Sequence, residues 1–298
     1  MASRESPDNA GKLLGFVWAG MSVAIFSGWF VVTRFSVTRE LNIWDITAIR
    51  YGIGAAVLLP VLIRSRLSLR NWGLGLVFAI LWGAPFALLV ALGLQLTSAA
   101  QAASTAPTLM PVFAGLIAWA ALREFPGWPR LLGYGAISGG LVALTASYAA
   151  AGAAFNPTGL AALALAAAMW AIYTLMFRKS ALTPLQAAAL ICLWSALLFL
   201  PPYLWLGLGQ MGRASTQELL LQGGYQGVLM SAVAIVTFNR AVARLGSGAA
   251  TAVIALIPVA ATLIAIPVLG EMPGRLGGAA IFVIVLGVVL AASPRPAV

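Results

Sequence analysis

The sequence predicts an all-α polytopic membrane protein whose ten transmembrane helices form two inverted five-helix repeats. Its composition indicates a membrane protein, because 8% of the residues are charged, 62% are hydrophobic and the mean hydropathy is +1.00. An average soluble domain is about 25% charged. An internal repeat and the distribution of the basic residues predict the two halves and their orientation.

The helices follow from the length of the apolar segments, because a membrane-spanning helix needs about 20 largely apolar residues. Two uncharged stretches each hold two helices. We divide residues 71–122 at Leu96–Ser98, and residues 131–177 at Gly152–Gly159, which contains a turn followed by a helix start. The predicted helices start near residues 12, 44, 72, 98, 130, 158, 184, 216, 246 and 273. The predicted organisation is an N-terminal tail (1–11), a first repeat (12–149), a connecting loop (150–157), a second repeat (158–293) and a C-terminal tail (294–298), which together form one domain.

A motif of proline, glutamate, proline and glycine recurs at an offset of 147 residues with identical internal spacing. Its members are Pro111, Glu124, Pro126 and Gly127 in the first copy and Pro258, Glu271, Pro273 and Gly274 in the second. An odd number of helices per copy makes two copies antiparallel in the membrane. Five helices per copy therefore predict an inverted pair, with Glu124 and Glu271 as helix-end features at opposite membrane faces.

The basic residues orient the chain through the positive-inside rule. With ten helices and a cytoplasmic N-terminus, twelve of the seventeen Lys and Arg lie on the cytoplasmic side and Arg50 lies within helix 2. The four on the outer side are Arg34, Arg39, Arg213 and Arg275. We therefore expect a multi-pass protein of the cell (inner) membrane with both termini in the cytoplasm.

The residue types that are scarce or missing exclude several classes of function. The chain has no histidine and one cysteine, Cys192, and its two lysines, Lys12 and Lys179, stand at segment ends. We therefore expect no metal site, no cofactor and no intramembrane enzyme. Because the basic residues are scattered, we expect no nucleic-acid partner. The expected partners are the lipid bilayer and a small-molecule substrate, and the oligomeric state stays open.

The penultimate helix of each repeat, with its mid-helix proline and terminal glutamate, resembles the EamA-type ten-helix branch of the drug/metabolite transporter superfamily. The resemblance covers residues 12–293, and the helix 6 sequence Trp170 to Tyr173 is similar to that family's pattern. It implies an alternating-access transporter that exports small amphipathic metabolites. Within the branch, length, helix number and an aromatic-rich interior are similar to the YddG-type exporters, which favours amino acids including aromatic and apolar ones.

Two alternatives to amino-acid export stay open. One is a carrier for other metabolites such as nucleotide sugars or drugs, although a phosphate-bearing solute should need more than one buried cation. The other is a passive channel or a membrane scaffold. The embedded Arg50 has two interpretations. Its side chain either reaches the membrane surface or pairs with Asp45, which are both structural roles, or it attracts a substrate carboxylate.

Candidate substrate-binding residues are polar or aromatic, lie within a helix and in several cases recur in the other repeat, because inverted-repeat carriers bind solutes near the bilayer midplane. Aromatic stripes at helical spacing on helices 1 and 6, offset by 144 residues, are expected to face each other across a cavity and to bind an ammonium group by cation–π attraction. Helix packing and the interfacial belt equally explain such stripes. The candidates are Phe26 and Trp29 on helix 1, Phe78, Trp82 and Phe86 on helix 3, Gln101 and Thr105 on helix 4, Trp170 and Tyr173 on helix 6, Tyr225 and Asn239 on helix 8, and Thr251 on helix 9.

Three prolines within helices are candidate hinges or gates, because a proline frees a backbone carbonyl and bends its helix. They are Pro85, Pro111 and Pro258.

We expect Trp170→Ala and Gln101→Ala to impair transport while leaving membrane insertion intact, because each removes a predicted substrate contact. Uptake kinetics in proteoliposomes, compared with the amount of protein in the membrane fraction, measure both effects. Unchanged uptake kinetics in both variants would contradict this site assignment.

Overall fold

The computed structural model describes residues 7–122, 125–150, 156–238, 240–241, 244–245, 253 and 256–291. Its described residues form ten long helices, the short 3-10 helix Met211–Arg213 and no strand. The bounds of the long helices are α1 Pro7–Val37, α2 Ile43–Arg64, α3 Leu69–Leu96, α4 Ala99–Leu122, α5 Trp128–Ala150, α6 Pro157–Arg178, α7 Pro184–Trp205, α8 Thr216–Phe238, α9 Ile257–Leu269 and α10 Arg275–Ala291. Eight of them are long and apolar enough to cross a membrane, and α9 and α10 are shorter apolar helices. The predicted all-α, ten-helix fold is confirmed.

The two uncertain helix boundaries coincide with side-chain caps. Before α4, the Gln101 amide N–H donates to Ser98 Oγ at 3.0 Å, and Gln101 Oε1 accepts from the Ser98 amide at 3.4 Å. Before α6, Asn156 Oδ1 accepts from the Gly159 amide at 3.0 Å, and Pro157 occupies the first turn. Such caps satisfy amide groups that have no partner within the helix. They explain why the chain breaks at these points inside uncharged stretches.

The packing of the helices follows the repeat, in which helix n of the first half corresponds to helix n+5 of the second. Helix α1 packs on α9, as α6 packs on α4, and α2 packs on α8, as α7 packs on α3. Helices α2 and α7, α4 and α9, and α5 and α10 pack on their own counterparts. Because successive spans alternate in direction, corresponding helices run antiparallel and the two repeats are inverted.

One ion pair joins the ends of four helices, α1, α3, α4 and α9. Arg34 Nε lies 3.1 Å from Glu271 Oε1, and Glu271 Oε2 accepts from the Ala99 amide at 2.8 Å. The Arg34 Nη1 atom donates to the carbonyls of Leu94 at 2.6 Å and Gln95 at 2.9 Å. The cation therefore lies at a helix C-terminus and the anion at a helix N-terminus, as the helix dipole favours. This contact accounts for Glu271 as a helix-end residue, whereas Glu124 lies outside the described residues.

Helices α5 and α10 approach closely through glycines. A Cβ atom on Gly287 would lie 2.8 Å from the Ile137 amide nitrogen and 2.9 Å from the Gly133 carbonyl oxygen. A Cβ on Gly133 would meet the backbone of Gly287 and Ala291 in the same way. Small residues let membrane helices pack backbone to backbone, where van der Waals contact replaces the hydrophobic effect.

We expect Gly287→Ala to lower the thermal unfolding temperature of the detergent-solubilised protein, because the added methyl group overlaps the α5 backbone. The expected cost is about 1–3 kcal/mol. Gly278→Ala on the same helix is the matched control, since a Cβ there meets no atom within 4 Å. Equal unfolding temperatures for the two variants would contradict the close α5–α10 packing.

Helix α3 is broken near its middle into halves Leu69–Trp82 and Ala84–Leu96. The break lies at Gly83, two residues before Pro85, so the bend predicted at Pro85 is present and Pro85 stands in the first turn of the second half. The Ala84 amide donates to Ser195 Oγ of α7 at 3.1 Å. A polar group freed within a membrane thus finds a protein partner, as the absence of water requires.

Helix α8 also departs from α-helical geometry, because Gly223–Val233 forms a π-helix. Ser231 Oγ donates to the carbonyl of Gln226, five residues earlier, at 3.0 Å. At the repeat offset of 147 residues, Met230, which lies within this π-helix, is the equivalent of Gly83. The two repeats therefore leave α-helical geometry at the same position, near the middle of α3 and of α8.

We expect Gly83→Ala to destabilise the protein by about 1–3 kcal/mol, because its Cβ would overlap the Ala79 carbonyl and Ser195 Oγ. Gly73→Ala, in the first half of the same helix, meets no atom within 4 Å and should be neutral or stabilising. Thermal unfolding in detergent measures both variants. A Gly83→Ala protein as stable as the Gly73→Ala protein would show that the helix break does not need glycine.

Candidate functional site

The aromatic residues predicted on helices 3 and 6 meet in one group between the two repeats. We call this group the central aromatic cluster, and it consists of Phe78, Trp82, Phe86, Trp170 and Tyr173. The rings of Trp82 and Tyr173 are nearly parallel, with centroids 4.8 Å apart and an interplanar angle of 7°. Trp170 lies 6.2 Å from both Trp82 and Phe86, and Phe78 meets Tyr173 edge-on at 5.0 Å. Trp82 and Trp170 are half-buried, whereas the other three are buried.

The break in α3 shapes the central aromatic cluster. Trp82 ends the first half of the helix and Phe86 lies in the first turn of the second half, with ring centroids 6.1 Å apart. Both rings contact Trp170 of α6. One helix of the first repeat thereby places two aromatic rings, on either side of its bend, against the second repeat.

The aromatic stripe of α1 packs against α8, not against the stripe of α6. Trp29 Nε1 donates to Gln226 Oε1 at 3.0 Å, and Gln226 Nε2 donates to Thr33 Oγ1 at 2.8 Å. The Tyr225 hydroxyl donates to the carbonyl of Ile25 at 2.9 Å. Among the described residues no ring pair joins the two stripes, and the expectation that they face each other across a cavity remains a prediction. Helix α1 meets α8 as α6 meets α3, the pairing that the repeat requires.

A hydrogen-bonded network continues from these residues towards the start of α8. Gln222 Oε1 accepts from Gln226 Nε2 at 3.2 Å, and Gln222 Nε2 donates to the Glu218 carboxylate at 3.3 Å. The Ser36 hydroxyl donates to the same carboxylate. Glu218 and Ser36 are buried, and sequence reasoning did not single out either of them. The amide and hydroxyl groups of Gln222, Gln226 and Ser36 therefore have partners within the protein, and they join α1 firmly to α8.

Arg50 of α2 is buried without an ion-pair partner in the described part of the chain. Its side chain is 5% exposed, and its Nη1 atom has no hydrogen-bond partner. The guanidinium lies over the rings of Trp29 at 5.0 Å and Tyr51 at 5.6 Å. Asp45 does not pair with it, because Asp45 Oδ1 accepts from the Tyr203 hydroxyl at 2.6 Å and from the Gln210 amide at 3.0 Å.

A cavity beside Arg50 is lined by residues of helices α2, α3, α7 and α8. Its lining includes Trp82, Cys192, Met230 and Ser231. The Trp82 indole Nε1 is buried and has no hydrogen-bond partner, as is the case for Arg50 Nη1. The cavity thus adjoins both irregular segments, since Trp82 precedes the α3 break and Met230 and Ser231 belong to the π-helix of α8.

The polar residues predicted on α4 bond to their own helix. Gln101 forms the cap of α4 with Ser98, and the Thr105 hydroxyl donates to the Gln101 carbonyl at 2.7 Å. These hydrogen bonds explain both side chains as helix features, and contact with substrate remains a prediction for them. Asn239 and Thr251 lie outside the described residues.

The other predicted hinges have different settings. Pro111 lies within α4, where it leaves the helix unbroken, and Pro258 occupies the first turn of α9. Their role in gating, with that of Pro85, remains a prediction. Among the described residues, no three His, Cys, Asp or Glu side chains gather in a way that would hold a metal ion.

Comparison with known proteins identifies the family. One crystal structure of a protein matches with a TM-score of 0.61 and 21% sequence identity over 95% of each chain, which shows a shared fold. The comparison with curated proteins returned no match. The sequence model described as the EamA-like transporter family matches twice, at residues 13–146 and 157–293, once for each repeat. The chain therefore belongs to the EamA-like transporter family, within the drug/metabolite transporter superfamily.

Proposed function

We propose that this membrane transporter of small metabolites exports amino acids, including aromatic and apolar ones, from the cytoplasm by alternating access. The observation that carries the proposal is the central aromatic cluster, which lies between the two repeats and beside the bend of α3. Carriers built from inverted repeats bind their solutes at this kind of interface. We also propose that the protein is an exporter of the YddG type and that it lies in the inner membrane with both termini in the cytoplasm.

The chemistry of the central aromatic cluster suits an amphipathic solute. The half-buried rings of Trp82 and Trp170 offer apolar surface against which an aromatic or aliphatic side chain can pack. The exposed parts of such rings also attract an ammonium group, with about 0.5–2 kcal/mol for each cation–π contact. A zwitterionic solute would therefore find partners for its apolar and its cationic part within one group of residues.

The symmetry of the fold supports alternating access. In the part of the chain that the structure describes, each repeat contains an irregular helix, with the break at Gly83 in α3 and the π-helix Gly223–Val233 in α8. Because the repeats are inverted, a change of shape in one helix at one membrane face has its equivalent in the other helix at the opposite face. Exchange of the two shapes would open the interface alternately to each side.

A carrier for nucleotide sugars or other phosphate-bearing metabolites is the second candidate. Phosphate groups are usually held by several cations or by bidentate arginines. Among the described residues, Arg50 is the one buried cation. A single charge favours a carboxylate over a phosphate dianion, so amino acids rank above phosphorylated solutes.

We expect saturable uptake of aromatic and apolar amino acids into proteoliposomes, accelerated by unlabelled amino acid on the opposite side. A radiolabelled amino-acid panel, with and without a pH gradient, measures the substrate range and the coupling to protons. Trp170→Ala should raise the KM for aromatic amino acids about fivefold through lost ring contacts. Trp205→Ala is the control, because Trp205 is 86% exposed and lies at the end of α7.

Two results would contradict the proposal. Flux that rises linearly with concentration and shows no trans-stimulation would indicate a passive channel. Saturable uptake of phosphorylated metabolites, with no uptake of any amino acid, would indicate the second candidate.

A further inference from the structure

The Arg50 guanidinium has no counter-charge among the described residues, although a buried charge within a membrane is costly without one. It lies seven residues, or about 10 Å of helix, from the start of α2, and it is 95% buried within the protein. The faces of Trp29 and Tyr51 compensate part of the lost hydration. A buried cation is expected to be paired, and the nearest acidic residue in the sequence, Asp45, has other partners.

A second unpaired donor belongs to Trp82, which also lines this cavity. The buried indole Nε1 of Trp82 has no acceptor, although a buried tryptophan N–H normally finds one. Trp194 shows the normal arrangement, because its Nε1 donates to the Trp72 carbonyl at 3.1 Å. Two donors without acceptors, one of them positively charged, at one cavity match a ligand that supplies oxygen acceptors and a negative charge.

Neither donor bonds to a nearby polar group among the described residues. Ser231 lines the cavity, and its hydroxyl donates to the backbone carbonyls of Gln226 at 3.0 Å and Arg50 at 3.4 Å. Gly54, one turn after Arg50 on α2, has no side chain, which lets Ser231 and Cys192 lie against the helix. The remaining lining is largely apolar, with Ile191, Met230 and Ile235 among its members. An anion bound there would be shielded from water and held by strong charge-assisted hydrogen bonds.

We propose that Arg50 and the Trp82 indole N–H bind the carboxylate of the transported solute, and that the solute must carry this group. The inference rests on the proposed function, in which the solute enters the interface between the repeats. Trp82 belongs to both parts of the site, because its ring joins the central aromatic cluster and the residue also lines the cavity beside Arg50. A single carboxylate neutralises the single guanidinium charge, whereas a phosphate dianion leaves one negative charge without a partner.

Binding to the purified full-length protein in detergent tests the proposal without requiring transport. The probes are L-phenylalanine, 3-phenylpropionate (which lacks the ammonium group), L-phenylalaninamide (which lacks the carboxylate) and inorganic phosphate. Thermal unfolding and tryptophan fluorescence report binding. We expect the two carboxylates to raise the unfolding temperature, and the amide and phosphate to leave it unchanged.

Three variants separate binding from folding. Arg50→Met should be at least as stable as the parent protein without ligand, because it removes an unpaired buried charge, and it should lose the stabilisation by carboxylates. Arg50→Lys keeps the charge but not the planar fork, and should weaken carboxylate binding about tenfold or more. Trp82→Phe keeps an aromatic ring but removes the N–H, and should also weaken carboxylate binding. Trp194→Phe removes an N–H that already donates to the Trp72 carbonyl, so this variant should leave carboxylate binding unchanged.

The outcomes separate this inference from the proposed function. Saturable amino-acid transport with the same KM in the parent, Arg50→Lys and Trp82→Phe proteins would overturn the carboxylate site and leave the proposed function intact. Stabilisation by 3-phenylpropionate that Arg50→Met abolishes, without any amino-acid transport, would support the site and contradict amino-acid export. Stabilisation by phosphate or by phenylalaninamide equal to that by phenylalanine would overturn the site, as would an Arg50→Met protein less stable than the ligand-free parent.

Discussion

Backbone hydrogen bonding in the absence of water is the constraint on which the rest of this structure depends. In the hydrocarbon region a chain can leave helical geometry only where protein groups replace the lost partners. At Gly83 the Ser195 hydroxyl accepts from the Ala84 amide, and in α8 the bonding shifts to the wider π pattern. Both irregular segments therefore contact the other repeat, Gly83 beside Ser195 of α7 and the π-helix against α2, where solute binding is proposed.

The same constraint links the fold to the proposed chemistry. The bend at Gly83 presents Trp82 and Phe86 to Trp170, and the π-helix brings Met230 and Ser231 to the cavity beside Arg50. The groups proposed for apolar stacking, cation–π attraction and anion binding then lie side by side. Since the two irregular segments are equivalent under the repeat, a movement of one has a counterpart in the other.

Part of the site could be predicted from the sequence, because recurrence in the two repeats selected Phe78, Trp170 and Tyr173, which meet in the structure. Trp82 and Phe86 were selected as aromatic residues beside the mid-helix Pro85. The packing partners of the predicted residues could not be predicted, because the rotation of each helix about its axis depends on packing with distant segments. The aromatic stripe of α1, for example, packs against α8. The capping role of Gln101 had a readable signal, since Ser98 followed three residues later by Gln is a capping-box pattern. Glu218 and Ser36 gave no such signal.

The sequence by itself determined the membrane location, the ten helices and the inverted duplication, because these follow from segment length, composition and a fixed offset along one chain. The tertiary structure alone decided the state of Arg50. From the sequence, Asp45 was an available partner five residues away, but Tyr203 and Gln210, more than 150 residues further on, occupy its carboxylate. Which donor reaches an acceptor depends on distances between helices, so a local pattern could not show that the arginine stays unpaired.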